Sequence, residues 1–241
     1  MKLALFSDVH GNYDAFKKVL SDIDAAGVDQ ILCLGDCIGY GPEPEEVMAE
    51  IIRRQILTIL GNHELAVCNP GHLNWFNPLA CSSLKITIAK LSQTSIDYIK
   101  KLPTSRVVAG FRCVHGFPPD SSRTYLFQKS ASQLKKTFET MQEKICFVGH
   151  THELEAVKYD GQSAERCAIK KGYFSLDPDL RYLINIGSVG QPRDGNNQAK
   201  YVLYDQEENR IETRFISYDI AATVAKIKAA GMPTQHADRL W

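Results

Sequence analysis

Neither an excess of charge of one sign nor a long apolar run is present in this chain. Its 28 Lys and Arg residues balance its 28 Asp and Glu residues, so the formal net charge is zero with histidine neutral. Long nucleic acids and polybasic membrane anchors both require a basic excess. The apolar run Leu3–Phe6 is too short for a secretory signal, and no run approaches the roughly 18 residues of a membrane span. We therefore expect neither a long nucleic acid nor a membrane as a partner.

The cysteines lack the spacing of a redox or zinc motif. There are seven, an odd number, and none forms a Cys-x-x-Cys pair. Cys33 lies within Ile31–Leu34 and Cys146 within Ile145–Val148, both of which are apolar runs. This pattern predicts free, buried thiols in a reducing compartment, so we expect a cytoplasmic protein.

Linkers, internal repeats and low-complexity tracts are also missing. Apolar residues make up 44% of the chain and charged residues 23%, which is an ordinary globular composition. A length of 241 residues suits one α/β domain. We therefore expect a single domain over residues 1–241.

The first sixty residues alternate between buried strands and amphipathic helices. The predicted strands are Lys2–Phe6, Gln30–Leu34 and Ile56–Leu60, and the predicted helices between them are Asn12–Ala26 and Glu45–Arg54. This β-α-β-α-β order indicates a parallel sheet with right-handed crossovers. Open α/β sheets bind ligands at the carboxyl ends of their strands.

The rest of the chain predicts further helices and then a region rich in strands. Residues 69–80 are expected to form a loop, and no helix is expected after residue 230. The other predicted helices are Ala80–Leu91, Ser95–Lys101, Ser130–Met141 and Tyr218–Ala230, and the other predicted strands are Val107–Ala109, Phe111–Val114, Lys144–Val148, Glu155–Tyr159, Tyr182–Ile186, Lys200–Tyr204 and Ile211–Ile216.

Polar clusters follow the predicted strands, and they hold five of the seven histidines. Two pairs, Asp8 with His10 and His150 with His152, are two positions apart, so in an extended chain both members of a pair point to the same side. The remaining histidines, His72 and His236, are expected in solvent. The clustered residues are Asp8, His10, Asp36, Asn62, His63, His115, His150 and His152.

Carboxylate, imidazole and amide groups together favour Mn²⁺, Fe, Zn²⁺ or Co²⁺. Sites for Ca²⁺ or Mg²⁺ rarely contain so many imidazoles, and a structural zinc site would use cysteine. The set is too large for one tetrahedral ion, whereas two ions that share a carboxylate would use it. Such a pair stabilises a phosphoryl oxygen and activates water.

The ordered motifs resemble those of the calcineurin-like metallophosphoesterase superfamily over residues 3–152. Residues 184–194 resemble its small prokaryotic branch and extend the core motifs to about residue 195, so residues 196–241 carry only predicted strands and a helix. The resemblance implies a four-layer α/β sandwich of two mixed β-sheets flanked by helices. The matching motifs are Asp8-Val9-His10, Gly35-Asp36, Gly61-Asn62-His63-Glu64, His115-Gly116 and Gly149-His150-Thr151-His152.

The resemblance also implies a role for each residue in these motifs. The cofactors would be two divalent or transition-metal ions (Mn, Fe, Zn or Co), with manganese the first choice for assays. His63 would face the substrate, either as a general acid for the leaving oxygen or as a hydrogen-bond donor to the phosphate. Metal 1 would be bound by Asp8, His10 and His152, metal 2 by Asn62, His115 and His150, and both by Asp36.

One position pair departs from the Ser/Thr protein phosphatases of this superfamily. Those enzymes carry an aspartate and an arginine three and four positions after the bridging aspartate, where this chain has Gly39 and Tyr40. The departure argues against a phosphoprotein substrate. Whether Glu64 replaces the missing aspartate in orienting His63 stays open.

Arg193 and Tyr40 are candidate substrate contacts. Arg193 would bind the phosphate through its guanidinium, or it forms a surface turn with Asp194. Tyr40 would line the pocket, or it simply belongs to a turn. Trp75 and Phe76 would stack a nucleobase, or they pin a loop.

The expected function is a phosphoesterase that acts on small phosphodiesters, phosphomonoesters or nucleotides through attack by a metal-bridging hydroxide. Dinucleoside polyphosphates are plausible substrates, since members of the superfamily cleave them. The alternatives are a Ser/Thr protein phosphatase, a metal-dependent nuclease and a catalytically silent scaffold. The sequence leaves the oligomeric state open.

Overall fold

Two six-stranded β-sheets form the centre of the computed structural model, which describes residues 1–241. The strands are β1 (Lys2–Phe6), β2 (Gln30–Cys33), β3 (Leu57–Thr58), β4 (Ser105–Val108), β5 (Phe111–Val114), β6 (Ile145–Val148), β7 (Leu154–Tyr159), β8 (Ala164–Ala168), β9 (Gly172–Ser175), β10 (Arg181–Ile186), β11 (Ala199–Asp205) and β12 (Arg210–Ile216). The helices are α1 (Tyr13–Ala26), α2 (Pro44–Arg53), α3 (Asn62–Cys68), α4 (Pro78–Ala89), α5 (Gln93–Ile99), α6 (Ala131–Thr140), α7 (Ile220–Ala229) and α8 (Thr234–Asp238).

Each sheet joins parallel strands to antiparallel ones. The first has the order β3-β2-β1-β11-β12-β9, in which β1, β2 and β3 are parallel. The second has the order β4-β5-β6-β10-β7-β8, in which β5, β6 and β10 are parallel. The carboxyl ends of the parallel strands therefore lie at one edge of each sheet.

Alternating side chains on β1 create two of the hydrophobic layers. Leu3 and Leu5 pack between the two sheets with Phe147 of β6, whereas Phe6 packs against Phe16 of α1 on the outer face. This follows from the period of two in a strand. Helix α6 covers the outer face of the second sheet. The expected four-layer α/β arrangement is confirmed.

The stretch expected to be a loop at residues 69–80 is largely helical. A 3-10 helix spans Pro70–Trp75, and α4 begins at Pro78. In each case an asparagine caps the helix, because the side-chain oxygens of Asn69 and Asn77 accept backbone N–H bonds at its start. Proline in the first turn after a capping residue is a helix start signal, so the expectation of a loop at residues 69–80 is wrong.

The chain after residue 196 belongs to the core rather than to an appendage. Strand β11 pairs with β1 in the middle of the first sheet. The unexpected helix α8 packs on α7 through Ile227, Met232 and Ala237. No helix in the structure has the length and apolar character that crossing a membrane requires.

Candidate metal centre

The polar residues that follow β1, β2, β5 and β6 meet in one buried cluster. Asn62 and His63, at the start of α3 after β3, lie at the same place beside the cavity described below. The possible ligand atoms of seven clustered residues form three groups, within each of which all atoms lie within 4.8 Å of one another. Two groups share no residue: Asp8, His10 and His152, and Asp36, His115 and His150. The third, His10, Asp36 and His63, overlaps both.

Asp36 lies between the two groups. Its Oδ2 is 3.2 Å from His115 Nε2 and 3.8 Å from His10 Nε2. Asp8 Oδ1 makes the corresponding contacts, at 3.2 Å to His152 Nε2 and 3.9 Å to His115 Nε2. Each of the two carboxylates therefore lies within 4 Å of a histidine in both groups, and Asp36 alone also lies 3.8 Å from His63 Nε2.

Backbone carbonyls fix the orientation of the histidine rings. A carbonyl oxygen can only accept, so each contacting ring nitrogen must carry a proton. The other ring nitrogen points to the cluster, where it presents a lone pair whenever the ring is neutral. The contacts are His10 Nδ1 to Ile38 O at 3.0 Å, His115 Nδ1 to Leu34 O at 2.7 Å, His152 Nδ1 to Gln191 O at 2.6 Å and His150 Nε2 to Arg123 O at 3.2 Å.

The inward-facing atoms fit divalent metal ions. The inner nitrogens of His10 and His152 lie 3.0 Å apart, and those of His115 and His150 lie 3.2 Å apart. Oδ1 of Asp8 and Oδ1 of Asn62 are buried without a hydrogen-bond partner. Paired nitrogen lone pairs and unpartnered oxygens are costly in a protein interior unless a cation lies among them.

Without a metal, protons take part of the balancing role. Burial opposes the charge on Asp36, yet His115 and other histidines hold the pKa of this carboxyl well below its usual range. Burial alone would lower the pKa of His115, but Asp36 and Asp8 raise it to about 10. Burial lowers the pKa of His150 to about 3 and that of His152 to about 4. The cluster therefore attracts positive charge.

Left-handed backbone conformations direct these side chains. The φ angle is 56° at Asp8, 50° at His10, 53° at Asp36, 69° at His150 and 64° at His152. The expectation that such pairs converge in extended chain is therefore wrong in its geometry, because the chain turns sharply after each strand. Non-glycine residues adopt this conformation rarely, and it is concentrated at functional sites.

Two glycines leave space for the carboxylates. A Cβ atom at Gly61 would lie 2.0 Å from Asp36 Oδ1, and one at Gly149 would lie 2.6 Å from Asp8 Oδ2. Any side chain at either position would displace a carboxylate that the cluster contains.

Glu64 stabilises the backbone and does not orient His63. Its oxygens accept hydrogen bonds from the backbone N–H groups of Asp36, Cys37 and Gly61 at 2.8–2.9 Å. Burial, followed by the charge of Asp36, raises the pKa of Glu64 to about 7. The carboxyl thus fixes the turn after β2 against α3, which answers the question that the sequence left open.

His63 borders the cluster without a polar partner for its ring Nδ1. Its backbone N–H donates to Asp36 Oδ1 at 3.0 Å, and its Nε2 lies 3.8 Å from Asp36 Oδ2. The ring packs edge-on against Tyr40 and Phe76. Burial lowers the pKa of His63 well below its ordinary value, which favours the neutral ring.

Gly39 leaves no space for the aspartate found in the protein phosphatases. Its φ is 134°, and a Cβ atom there would lie 2.3 Å from His63 Nδ1. The departure seen in the sequence is therefore matched by the geometry, since His63 takes the space that a side chain at this position would need.

A cavity of about 190 Å³ opens over the cluster. Tyr40 and Arg193, the two candidate substrate contacts, both line it, as do Phe76 and Tyr125. The ring of Tyr40 lies 4.4 Å from that of His10, and burial raises the pKa of Tyr40 to about 12. Aromatic rings and guanidinium groups therefore wall the space next to the candidate ligands.

Arg193 does not pair with Asp194. Instead, Asp194 lies 2.7 Å from the fully buried ammonium group of Lys200. The guanidinium of Arg193 donates to Gln191 Oε1 at 3.1 Å, and its backbone N–H donates to His152 O at 3.1 Å. Arg193 is exposed beside the bend at Asp194, as the surface-turn alternative expects, and it also lines the cavity.

Arg123 is a cavity residue that the sequence did not indicate. Its guanidinium lies 3.6 Å from the centre of the Trp75 ring, and the ring of His72 stacks on Trp75 at 3.6 Å. Two groups so close to the centre of one ring must occupy opposite faces. The indole of Trp75, 41% of which is exposed, therefore already supports Arg123 and stacks with His72.

His236 is buried, contrary to the expectation that it lies in solvent. Only 1% of the residue is exposed, and its ring stacks on Tyr40 at 4.6 Å. Helix α8 thus packs behind Tyr40, which itself lines the cavity. No motif surrounds His236, and so no sequence signal pointed to it.

Comparisons with known proteins show the family to which this chain belongs. A family model described as the calcineurin-like phosphoesterase superfamily domain matches residues 1–209. An uncharacterised protein of Methanocaldococcus jannaschii is 31% identical over 244 residues, which cover 99% of this chain and 97% of that protein. The crystal structure of a metallophosphoesterase from Sphaerobacter thermophilus has a TM-score of 0.84 and 31% identity, and the match covers 100% of this chain and 98% of that one.

A further relative matches over a shorter stretch. A symmetrical bis(5'-nucleosyl)-tetraphosphatase of Delftia acidovorans is 27% identical over 124 residues, which cover 48% of this chain and 41% of that enzyme.

Proposed function

Because this chain belongs to the calcineurin-like phosphoesterase superfamily and is a hydrolase of phosphoric esters, we propose that it acts on small phosphodiesters, phosphomonoesters or nucleotides with two metal ions. The observation that carries the proposal is the set of inward-facing ring nitrogens and unpartnered oxygens at the strand ends. One ion would be held by Asp8, His10 and His152, the other by Asn62, His115 and His150, and both by Asp36.

When bound, such ions supply positive charge that stabilises a phosphoryl group and makes water a better nucleophile near neutral pH. The protein contributes orientation. Glu64 fixes the backbone that presents Asp36, and the carbonyl contacts hold each ring nitrogen toward the cluster. Arg123 and Arg193 face the same cavity and would bind phosphoryl oxygens through charge-assisted hydrogen bonds.

His63 would contact the substrate at the edge of the cluster. Its lowered pKa favours the neutral ring, and no carboxylate holds its Nδ1. Both facts support hydrogen bonding to the phosphoryl group over proton donation to the leaving oxygen. A leaving-group series tests the choice between the two roles, as described in the Discussion.

Small substrates suit the cavity better than phosphoproteins. Its volume is about 190 Å³, and Gly39 has no space for the aspartate of the protein phosphatases. The full set of candidate ligands also counts against a catalytically silent scaffold. A dinucleoside polyphosphate is a second candidate substrate, supported by the partial match to a bis(5'-nucleosyl)-tetraphosphatase and by two guanidinium groups in one cavity.

We place this activity in a single domain that works in the cytoplasm. Strand β11 lies beside β1, so the last third of the chain shares a sheet with the candidate ligands. All seven cysteines are free thiols, which supports a reducing compartment.

Metal content and a substrate panel test the proposal. We expect about two ions per chain after loading with Mn²⁺, loss of turnover in a strong chelator, and recovery when metal is restored. His72→Gln, outside the cluster, should retain both ions and serves as the control. One ion per chain, with activity unchanged in chelator, would contradict the two-metal proposal.

The panel compares a phosphomonoester, a phosphodiester, a dinucleoside polyphosphate and a phosphopeptide under the same conditions. We expect kcat/KM for the phosphopeptide to be the lowest. If it exceeds that of every small ester, the proposed substrate class is wrong. A salt titration separates a nuclease, because binding of long nucleic acids weakens steeply with salt.

A further inference from the structure

A second cavity, of about 440 Å³, shares Arg193 with the cavity over the metal cluster. Its wall also contains Asn196, Asn197, Arg239 and Trp241. We call this second cavity the outer subsite. Because one guanidinium borders both spaces, a ligand longer than a single phosphate would extend from one into the other.

The only charged side chains that line the outer subsite are the guanidinium groups of Arg193 and Arg239. No acidic residue lines it, and the Arg239 guanidinium has no hydrogen-bond or ion-pair partner in the structure. The guanidinium of Arg193 donates only to Gln191, and the neighbouring Asp194 is neutralised by Lys200. Two guanidinium groups without a counter-ion favour an anion whose paired oxygens accept two hydrogen bonds from one guanidinium, such as a phosphate.

The same wall offers an open aromatic face. Trp241 is 69% exposed and contacts neither an aromatic ring nor a cation, whereas Trp75 is 41% exposed and stacks with His72 and Arg123. An exposed indole beside guanidinium groups suits a flat, phosphorylated ring. The amides of Asn196 and Asn197 supply both donors and acceptors for the edge of such a ring. Together these groups match a nucleotide.

Two anchors hold the outer subsite in place relative to the metal cluster. On α8, His236 stacks on Tyr40, and Arg239 follows three positions later. In the other wall, the buried Lys200 ammonium donates to the backbone carbonyls of Asn196 and Gln198 at 2.8 and 3.3 Å. A wall fixed before binding loses less conformational entropy when a ligand arrives.

We propose that the outer subsite binds the nucleotide portion of a substrate that continues beyond the scissile phosphate, with Arg193 contacting the phosphate chain between the two cavities. The place of the subsite in a reaction rests on the proposed function. The capacity of the subsite to bind a nucleotide does not depend on it, and the two can be tested separately.

Binding is measured first, on metal-free protein that cannot turn over. The chain has two tryptophans, so Trp75→Phe leaves Trp241 as the only indole reporter. We expect ADP to quench its fluorescence saturably, and inorganic phosphate to compete. Adding Arg239→Gln should weaken ADP binding by about tenfold. The matched control is Arg210→Gln, whose guanidinium lies over Tyr173 outside the subsite, and it should leave the affinity unchanged.

Turnover is measured second, on metal-loaded enzyme, as the ratio of kcat/KM for a dinucleoside polyphosphate to that for a nitrophenyl phosphate ester. Trp241→Ala and Arg239→Gln should each lower this ratio by about tenfold relative to Arg210→Gln. Saturable quenching in a protein that hydrolyses neither ester would support the subsite and overturn the proposed function. Hydrolysis with an unchanged ratio and no quenching by ADP would overturn the subsite and leave the proposed function standing.

Discussion

The metal cluster and the walls around it are built in different ways. Every candidate ligand lies just after the end of a strand or, for His152, in the turn that follows it, and backbone carbonyls hold the histidine rings. The walls instead come mainly from loops and the 3-10 helix, and stacking contacts position them, as Trp75 positions Arg123 and His236 of α8 supports Tyr40. The cluster is thus set by strand topology and the walls by packing between distant segments. We therefore expect changes in the cluster to abolish activity and changes in the walls to adjust substrate preference.

The largest effect is expected at Asp36, the carboxylate between the two ligand groups. Asp36→Asn should lower the content of both ions and reduce kcat by about 10³-fold or more, because several kcal/mol of charge stabilisation is lost. Asp8→Asn should lose mainly one ion. Elemental analysis and steady-state kinetics on both variants measure this. If Asp36→Asn holds two ions and turns over normally, the bridging assignment is wrong.

His63 lies between the cluster and the wall. Its replacement should reduce kcat by about 10²-fold. Since its lowered pKa and unpartnered Nδ1 favour a neutral, hydrogen-bonding ring, His63→Ala should slow alkyl, nucleoside and nitrophenyl esters by similar factors. Metal content should stay the same. The measurement is kcat and KM across this leaving-group series at saturating Mn²⁺. A loss confined to the alkyl and nucleoside esters would show general acid catalysis instead.

A smaller effect is expected in the wall at Trp75. Trp75→Ala removes the surface that holds the Arg123 guanidinium, so KM for a small ester should rise several-fold while kcat changes little. Trp75→Phe keeps a ring face and should restore most of the affinity. Arg123→Gln removes the guanidinium altogether and should raise KM by about tenfold, which is the largest rise that Trp75→Ala can cause. Equal kinetics for Trp75→Ala and Trp75→Phe would show that the stacking contact does not position Arg123.

The same division explains what the sequence could predict. Asp8, Asp36 and His115 follow strands whose apolar runs are plain, and parallel strands bring their ends together whatever the loops do. Arg123 and His236 lie in segments without a periodic pattern, and their contacts join residues far apart in the chain. Placing them requires knowledge of how loops and helices pack.

Strands β8 and β9 were not expected from the sequence, and they show how little of a sheet edge the sequence pattern predicts. Strands β8 and β9 pair with β7 and β12, but most of their side chains are exposed or half-buried. The alternation of apolar and polar residues that marks a strand arises from a buried face. Where an edge strand buries little, the sequence carries little sign of it.

The smallest effect on turnover, and a separate one on stability, is expected at His236. Burial, with the positive charge of Arg239 next, lowers its pKa to about 4, and neither ring nitrogen has a hydrogen-bond partner. The unfolded chain takes up a proton here below about pH 6.5, whereas the folded chain does so only near pH 4. This contribution is therefore fully present above pH 6.5 and is lost as the pH falls toward 4, by about 1.4 kcal/mol per pH unit at most. His236→Phe keeps the stack on Tyr40 and removes the titration. In metal-loaded protein, the difference in the free energy of unfolding between wild type and variant should shift in favour of the variant across this range. Metal release in acid affects both proteins and cancels in the difference. Parallel stability curves from pH 7 to pH 4.5 would show that His236 gains a proton without cost, and hence that α8 does not hold its ring against Tyr40.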